Sequence, residues 1–251
     1  FSDGNGDVWV LSLAGSPAWS QLAPAGTPPS ARNHHTAIYD PVRDRMVVFG
    51  GYDGFGSRND TWALSLGESP AWSQLAPAGT PPSPQNGHTA IYDPVRDRMV
   101  VFGGSSTLND TWVLSLAGIP AWSQLAPTGT PPSPRGWHTA IYDPLRDRMV
   151  VFAGSGVSND TWALSLAGSP AWSKLAPAGI PPSARYEHTA IYDPVRDRMV
   201  VFGGTDGSTS RNNTWALSLA EWTVLPYGDL RPRSRPDGGV RGHWHRLRLF
   251  Q

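Results

Sequence analysis

The sequence contains no cysteine, which removes disulfides, thiol nucleophiles and cysteine-ligated zinc from consideration. Charge is scarce and balanced: 16% of residues are charged, with 20 basic and 20 acidic side chains. No net field draws the chain to nucleic acid or to an anionic membrane. Apolar runs are short; none approaches the ~18 residues of a membrane span, and no secretory leader is visible. Glycine (27), proline (25) and tryptophan (12) are plentiful instead. Gly and Pro at that level mark disorder when scattered. Here they fall at fixed points between apolar runs, the pattern of a turn-rich all-β protein. Disordered chains are also poor in aromatics.

One segment recurs almost letter for letter. HTAIYDPVRDRMVVFGG begins at His35 and His88, returns from His138 as HTAIYDPLRDRMVVFAG, and appears again at His188; the starts are 53, 50 and 50 residues apart. A period of about 50 belongs to propellers and related repeat architectures. Within the unit from His35, HTAIYD alternates like a strand, Asp40-Pro41-Val42-Arg43-Asp44 forms a turn, and RMVVFGG is a short apolar strand ended by glycines. NDTWALSL is a third strand, GESPAWSQLAP carries a turn and a fourth, and AGTPPS is a stiff connector. Four short antiparallel strands per unit make one propeller blade. The paired tryptophans (Trp62 and Trp72, Trp112 and Trp122, Trp162 and Trp172) pack between blades rather than stack on sugar.

Four complete units run from about residue 32 to residue 226, preceded by half a unit. A chain that opens in mid-repeat reads as a fragment or processed product. The expected organisation is a propeller over residues 1–228 and an Arg-rich tail over 229–251. Two readings of the tail compete. HWHRLRLF alternates like a strand and could complete the N-terminal half-blade, closing a ring of about five blades; alternatively the tail is unpaired. Removal of exposed edges favours closure.

Phe49-Gly50-Gly51, Phe102-Gly103-Gly104 and Phe202-Gly203-Gly204, each followed by Asn-Asp-x-Trp or Asn-Asn-x-Trp and a last-strand Trp, resemble kelch repeats of the galactose-oxidase central-domain type. One unit departs, with Ala153-Gly154. The resemblance implies an all-β kelch-type propeller, a secreted bacterial-type protein with an extracellular or periplasmic location, and a binding role. Copper-radical oxidation needs a Cys-crosslinked Tyr, which this chain cannot form. No sialidase-type Ser-x-Asp-x-Gly-x-x-Trp turn is present, and the DPVRDR aspartates read as solvated turn residues rather than as facing catalytic carboxylates.

Other candidates yield to structural readings. The equivalent histidines His35, His88, His138 and His188 could converge on a metal, but no acidic partner recurs beside them. Asp3-Gly4-Asn5-Gly6-Asp7 begins like a calcium loop, yet Val8 and Ala14 stand where Gly and Glu are required. The sequons at Asn59, Asn109, Asn159 and Asn212 recur with the repeat and read as turn caps.

The copies differ chiefly in two stretches. The connector before the first strand ends Arg32-Asn33-His34, Gln85-Asn86-Gly87, Arg135-Gly136-Trp137 and Arg185-Tyr186-Glu187. The loop between strands two and three reads YDGFGSR (52–58), SSTL (105–108), SGVS (155–158) and TDGSTSR (205–211). In an up-and-down blade both emerge on one face. The candidate ligand-binding set is Arg32, Asn33, His34, Tyr52, Asp53, Phe55, Gln85, Asn86, Arg135, Trp137, Arg185, Tyr186, Glu187, Asp206 and Arg211. The expectation is a monomeric, non-catalytic module that recognises a protein or glycan through this face, without cofactor, metal, nucleic acid or membrane. The alternative is an accessory domain of a carbohydrate-active enzyme or an inactive galactose-oxidase-like fragment.

Overall fold

The computed structural model describes residues 6–105, 107–155, 158–220, 222–224 and 230–232. Nineteen strands are present among them. A half-blade comes first, β1 (Val8–Ser12) against β2 (Ala18–Leu22). The first blade is β3 (Thr36–Asp40), β4 (Arg45–Tyr52), β5 (Ser57–Ser65) and β6 (Trp72–Leu75). The second is β7 (Thr89–Asp93), β8 (Arg98–Phe102), β9 (Thr111–Ser115) and β10 (Ala121–Leu125); the third is β11 (Thr139–Asp143), β12 (Arg148–Phe152), β13 (Thr161–Ser165) and β14 (Ala171–Leu175). All three are antiparallel sheets in chain order.

In the fourth blade the described residues form a three-stranded sheet, β15 (Tyr186–Asp193), β16 (Arg198–Thr205) and β17 (Thr214–Ser218). The last two strands, β18 (Trp222–Val224) and β19 (Leu230–Pro232), pair with each other. The connection into the last Trp-bearing strand also differs in length. Five residues (167–171) separate Leu166 from Trp172, but only Ala220 and Glu221 separate Leu219 from Trp222. The expected closing strand HWHRLRLF lies outside the described residues.

Register repeats from blade to blade, with Ile38 opposite Val47, Ile91 opposite Val100 and Ile141 opposite Val150. Period-two alternation gives each blade a leading face of Ile, Val and Phe and a trailing face of Met, Val, Leu and Trp. The leading face of one blade packs on the trailing face of the next: Ile38, Val47 and Phe49 share a core with Met99, Val101, Leu114 and Trp122. The next interface repeats this with Ile91, Val100 and Phe102 against Met149, Val151, Leu164 and Trp172. Trp122 lies 4.7 Å from Phe49, and Trp172 4.7 Å from Phe102, centroid to centroid. The expectation that last-strand tryptophans pack between blades is met at these two positions.

The first aspartate of three of the DPVRDR turns is not solvated, contrary to the sequence reading, whereas Asp44 is exposed and Asp97, Asp147 and Asp197 are partly so. The side chains of Asp40, Asp93 and Asp143 are completely buried. Asp40 caps its own turn, accepting from the backbone N–H of Val42 and Arg43, and also takes Arg43 and Arg45. Arg43 then reaches across to Asp97 of the next blade at 2.6 Å. Arg96–Asp147 and Arg146–Asp197 repeat the link at 2.7 Å each. Three turns thus carry a charge ladder from blade to blade. The arginines are held further above their normal range by these carboxylates, foremost Asp97, Asp147 and Asp197.

Candidate functional site

The two variable stretches meet on the face opposite this ladder. Asn33 and Tyr52 exchange backbone hydrogen bonds of 2.9 Å. Asn86 Nδ2 donates to Ser57 Oγ at 2.8 Å, Ser105 N to Asn86 O at 2.8 Å, and Gly136 N to Ser155 Oγ at 2.9 Å. In the fourth blade Tyr186 pairs with Thr205. Connector and loop therefore form one laced surface on each blade.

The residue just before each repeated histidine occupies the inner rim. Gly87 N donates to His34 O (2.9 Å), Trp137 N to Gly87 O (2.7 Å), and Glu187 N to Trp137 O (2.9 Å). The four least similar side chains of the repeat are thus strung into one arc by backbone bonds between blades. All four have left-handed backbones, with φ of 52° at His34, 68° at Gly87, 54° at Trp137 and 56° at Glu187. That region costs a residue with a Cβ about 1–2 kcal/mol, yet three of the four are not glycine. Gly87 serves packing: a Cβ there would stand 3.2 Å from the Trp137 indole. Across it Trp137 meets His34 edge-on at 6.0 Å, and on its other side Tyr186 at 6.4 Å.

A cleft of about 330 Å³ opens beside this aromatic group, lined by Trp137, Ser155, Ala184, Arg185, Tyr186, Glu187 and Asp206. The backbone N–H groups of Ser208 and Thr209, with Arg211, hold the Asp206 carboxyl down to about 2. Asp53 is likewise held at about 2, chiefly by Arg58 and then by the N–H groups of Phe55 and Gly56. Both loops are thereby stiffened by an acid at their base. Phe55 stands 95% exposed at one loop tip.

A family model for the KLHDC2/KLHL20/DRC7 kelch-repeats domain matches residues 2–119 and 106–240. The chain belongs to the kelch-repeat family. Adagio-like protein 3 of Oryza sativa subsp. japonica is 33% identical over 108 residues, which cover 39% of this chain and 17% of that protein. Host cell factor 2 of Homo sapiens is 36% identical over 105 residues, covering 39% of this chain and 13% of the relative. Leucine-zipper-like transcriptional regulator 1 of Mus musculus is 37% identical over 92 residues, covering 35% and 10%. The matches thus span between a tenth and about a sixth of these relatives' lengths.

Within this kelch scaffold the candidate set divides. His34, Asn33, Tyr52, Asp53, Phe55, Asn86, Trp137, Tyr186, Glu187, Asp206 and Arg211 lie on the variable face. Arg32, Gln85, Arg135 and Arg185 sit beneath it, between 1% and 7% exposed, so they are corrected to structural positions. Arg32 donates to Gly50 O at 3.0 Å and grips Asp60 with two bonds of 2.6 and 3.0 Å. Arg135 does the same with Ala153 O and Asp160. Arg185 binds Gly203 O and Asn213 Oδ1. Each clamps its connector onto its own blade. Burial works to raise the Asp60 carboxyl, but Arg32 and the Trp62 indole hold it below its usual range. In the second blade Gln85 replaces the arginine, and its amide atoms and Asp110 Oδ1 are buried without a hydrogen bond among the described residues.

The kelch histidines are packing elements. His88 Nε2 donates to Phe49 O at 3.2 Å; His138 and His188 are bonded to Thr89 and Thr139 of the preceding blade at 2.9 and 2.8 Å. Their rings stand edge-on to Phe49, Phe102 and Phe152 at 5.2, 5.3 and 5.3 Å. Burial is the largest influence on each, pushing His88 and His188 down to about 4 and His138 to about 3. Among the described residues no cluster of three or more His, Cys, Asp or Glu could hold a metal ion. Asn59, Asn109 and Asn159 donate to the Pro82, Pro132 and Pro182 carbonyls at 3.1 Å each, so the sequon asparagines tie down connectors. Most of the Asp3–Asp7 segment lies outside the described residues.

Proposed function

We propose that this kelch chain is a non-catalytic binding module that recognises a protein through the rim formed by His34, Trp137, Tyr186 and Glu187 with the loops at Tyr52–Phe55 and Asp206–Arg211. The observation that carries the reading is the backbone-bonded arc. It gathers the most divergent side chains of an otherwise repetitive molecule at one place, and keeps large residues where glycine would be easier. Trp and Tyr are the side chains that anchor protein interfaces, and the cleft beside them accepts a single side chain of a ligand. Kelch domains generally act by binding proteins, which favours a protein over a glycan.

The test is a triple substitution, Tyr52→Ala, Trp137→Ala and Tyr186→Ala, assayed against partners found by affinity capture and against a glycan array. The reading predicts loss of protein binding with an unchanged melting transition. Unchanged binding by the triple variant contradicts it. Glycan binding in place of protein binding would reassign the ligand class, and turnover of a sugar substrate would overturn the non-catalytic assignment.

A further inference from the structure

Beneath the variable face, the first, third and fourth blades each hold an arginine against the same set of oxygens. Arg32 donates to Ser30 O at 3.0 Å, Ser30 Oγ at 3.1 Å, Gly50 O at 3.0 Å and both carboxylate oxygens of Asp60. Arg135 repeats these contacts with Ser133, Ala153 and Asp160. Arg185 keeps Ser183 and Gly203 and meets Asn213 in place of the carboxylate. The second blade retains the oxygens, as Ser83, Gly103 and Asp110, but has Gln85 where the arginine stands. Its connector is not displaced. Gln85 N donates to Arg58 O at 3.0 Å and Gln85 O accepts from Gly51 N at 2.9 Å, just as Arg135 bonds Leu108 and Gly104 at 3.0 Å each. The side chain thus leaves the backbone at the same place, and an amide ends short of where a guanidinium reaches.

Gln85 is 2% exposed, and neither of its amide atoms has a hydrogen bond among the described residues. Its Oε1 lies beside the Gly103-Gly104 pair, 2.9 Å from where a Cβ on Gly104 would stand. Asp110 Oδ2 accepts the Trp112 indole at 2.6 Å, while Oδ1 is buried without a partner among the described residues. A carboxylate oxygen buried without its cation is costly, and the groups that surround the cation elsewhere are already in place. We propose that the second blade binds a small monovalent cation at the guanidinium position. Asp110 Oδ1, Gln85 Oε1, Gly103 O and the two oxygens of Ser83 hold it. One carboxylate among neutral oxygens balances a single positive charge, as the arginine does in the first and third blades. A divalent ion would bury an uncompensated charge and is suited by more oxygen ligands than these. Alkali ions, ammonium and guanidinium share the required chemistry. The bound ion ties the connector that carries Asn86 and Gly87 onto its blade.

The test is thermal unfolding of the full chain at constant ionic strength. Choline chloride is exchanged for sodium, potassium, ammonium or guanidinium chloride at millimolar concentrations, below the denaturing range of guanidinium. At least one of the four should raise the melting temperature along a saturating curve, because an ion that binds the folded state alone stabilises it by mass action. Gln85→Arg fills the position covalently, so it should melt higher in choline and lose the saturating response. Asp110→Asn should lose the response as well; should that variant fail to fold, Gln85→Arg alone decides. Crystals grown with the stabilising salt should show the ion between Gln85 and Asp110, as an anomalous peak where thallium(I) replaces potassium. Flat titrations of the parent with all four cations overturn the proposal. So does a rise that Gln85→Arg shares in full, which is a general salt effect. A water molecule alone at the site in those crystals also overturns it.

Discussion

Lowering the pH from 7 to 5 acts on three side chains that neighbouring blades share. His88, His138 and His188 are at most 6% exposed and have no anionic partner among their hydrogen bonds. Their folded values lie near 4, 3 and 4, against about 6.5 in the unfolded chain. A depressed histidine means that the unfolded state binds more protons below pH 6.5, so stability is full above about pH 7 and falls as the pH drops. At pH 5 each histidine contributes a loss of about 2 kcal/mol, and the three together about 6 kcal/mol, comparable with the whole stability of many domains. Between pH 6 and 5 the slope approaches about 4 kcal/mol per unit. The carboxylates held low by arginine, such as Asp97, Asp147 and Asp197, add their losses only below about pH 4. Urea unfolding at half-unit intervals from pH 7.5 to 5 measures the slope, and His138→Gln should reduce it by about one third. An unchanged slope in that variant, or a flat profile in the parent, refutes the reasoning.

Three further outcomes follow from the same geometry. Gln85→Arg should rebuild the clamp seen at Arg32 and Arg135, satisfying Asp110, and raise stability by about 1–3 kcal/mol in urea unfolding. Arg96→Gln leaves the buried Asp93 and the next blade's Asp147 without their shared cation and should cost about 1–3 kcal/mol. Arg196→Gln, at the exposed turn of the fourth blade, should cost under about 0.5 kcal/mol in the same assay. Glu187→Gly relieves a left-handed backbone on an exposed side chain. It should leave stability unchanged or raise it by up to about 1 kcal/mol, while weakening partner binding in the capture assay.

The repeat made the blades legible, because alternation, Asp-Pro turns and glycine pairs are local signals that recur at one spacing. What escaped the sequence was pairing across blades. The partner of Arg43 that matters most, Asp97, lies 54 residues away, while the local pattern shows only Asp40 and Asp44 and suggests a solvated turn. The clamping arginines read as ligand contacts in the sequence because they adjoin the variable pair, whereas burial places them beneath it. The signal was present: Arg stands at that position in three of four copies, with Asp or Asn at the matching place downstream. The three-residue shortening before Trp222 was also visible in the sequence. The face shared by the two variable stretches was legible because chain direction alone decides it.

The central claim is that constant residues join the blades and varying residues on the opposite rim meet the partner. Hydrogen exchange with and without a captured partner tests it most directly. The account predicts added protection at 33–34, 52–58, 136–137, 186–187 and 205–211, with the turns at 40–45, 93–98 and 143–148 unchanged. Protection confined to those turns, with the rim unaltered, would contradict it.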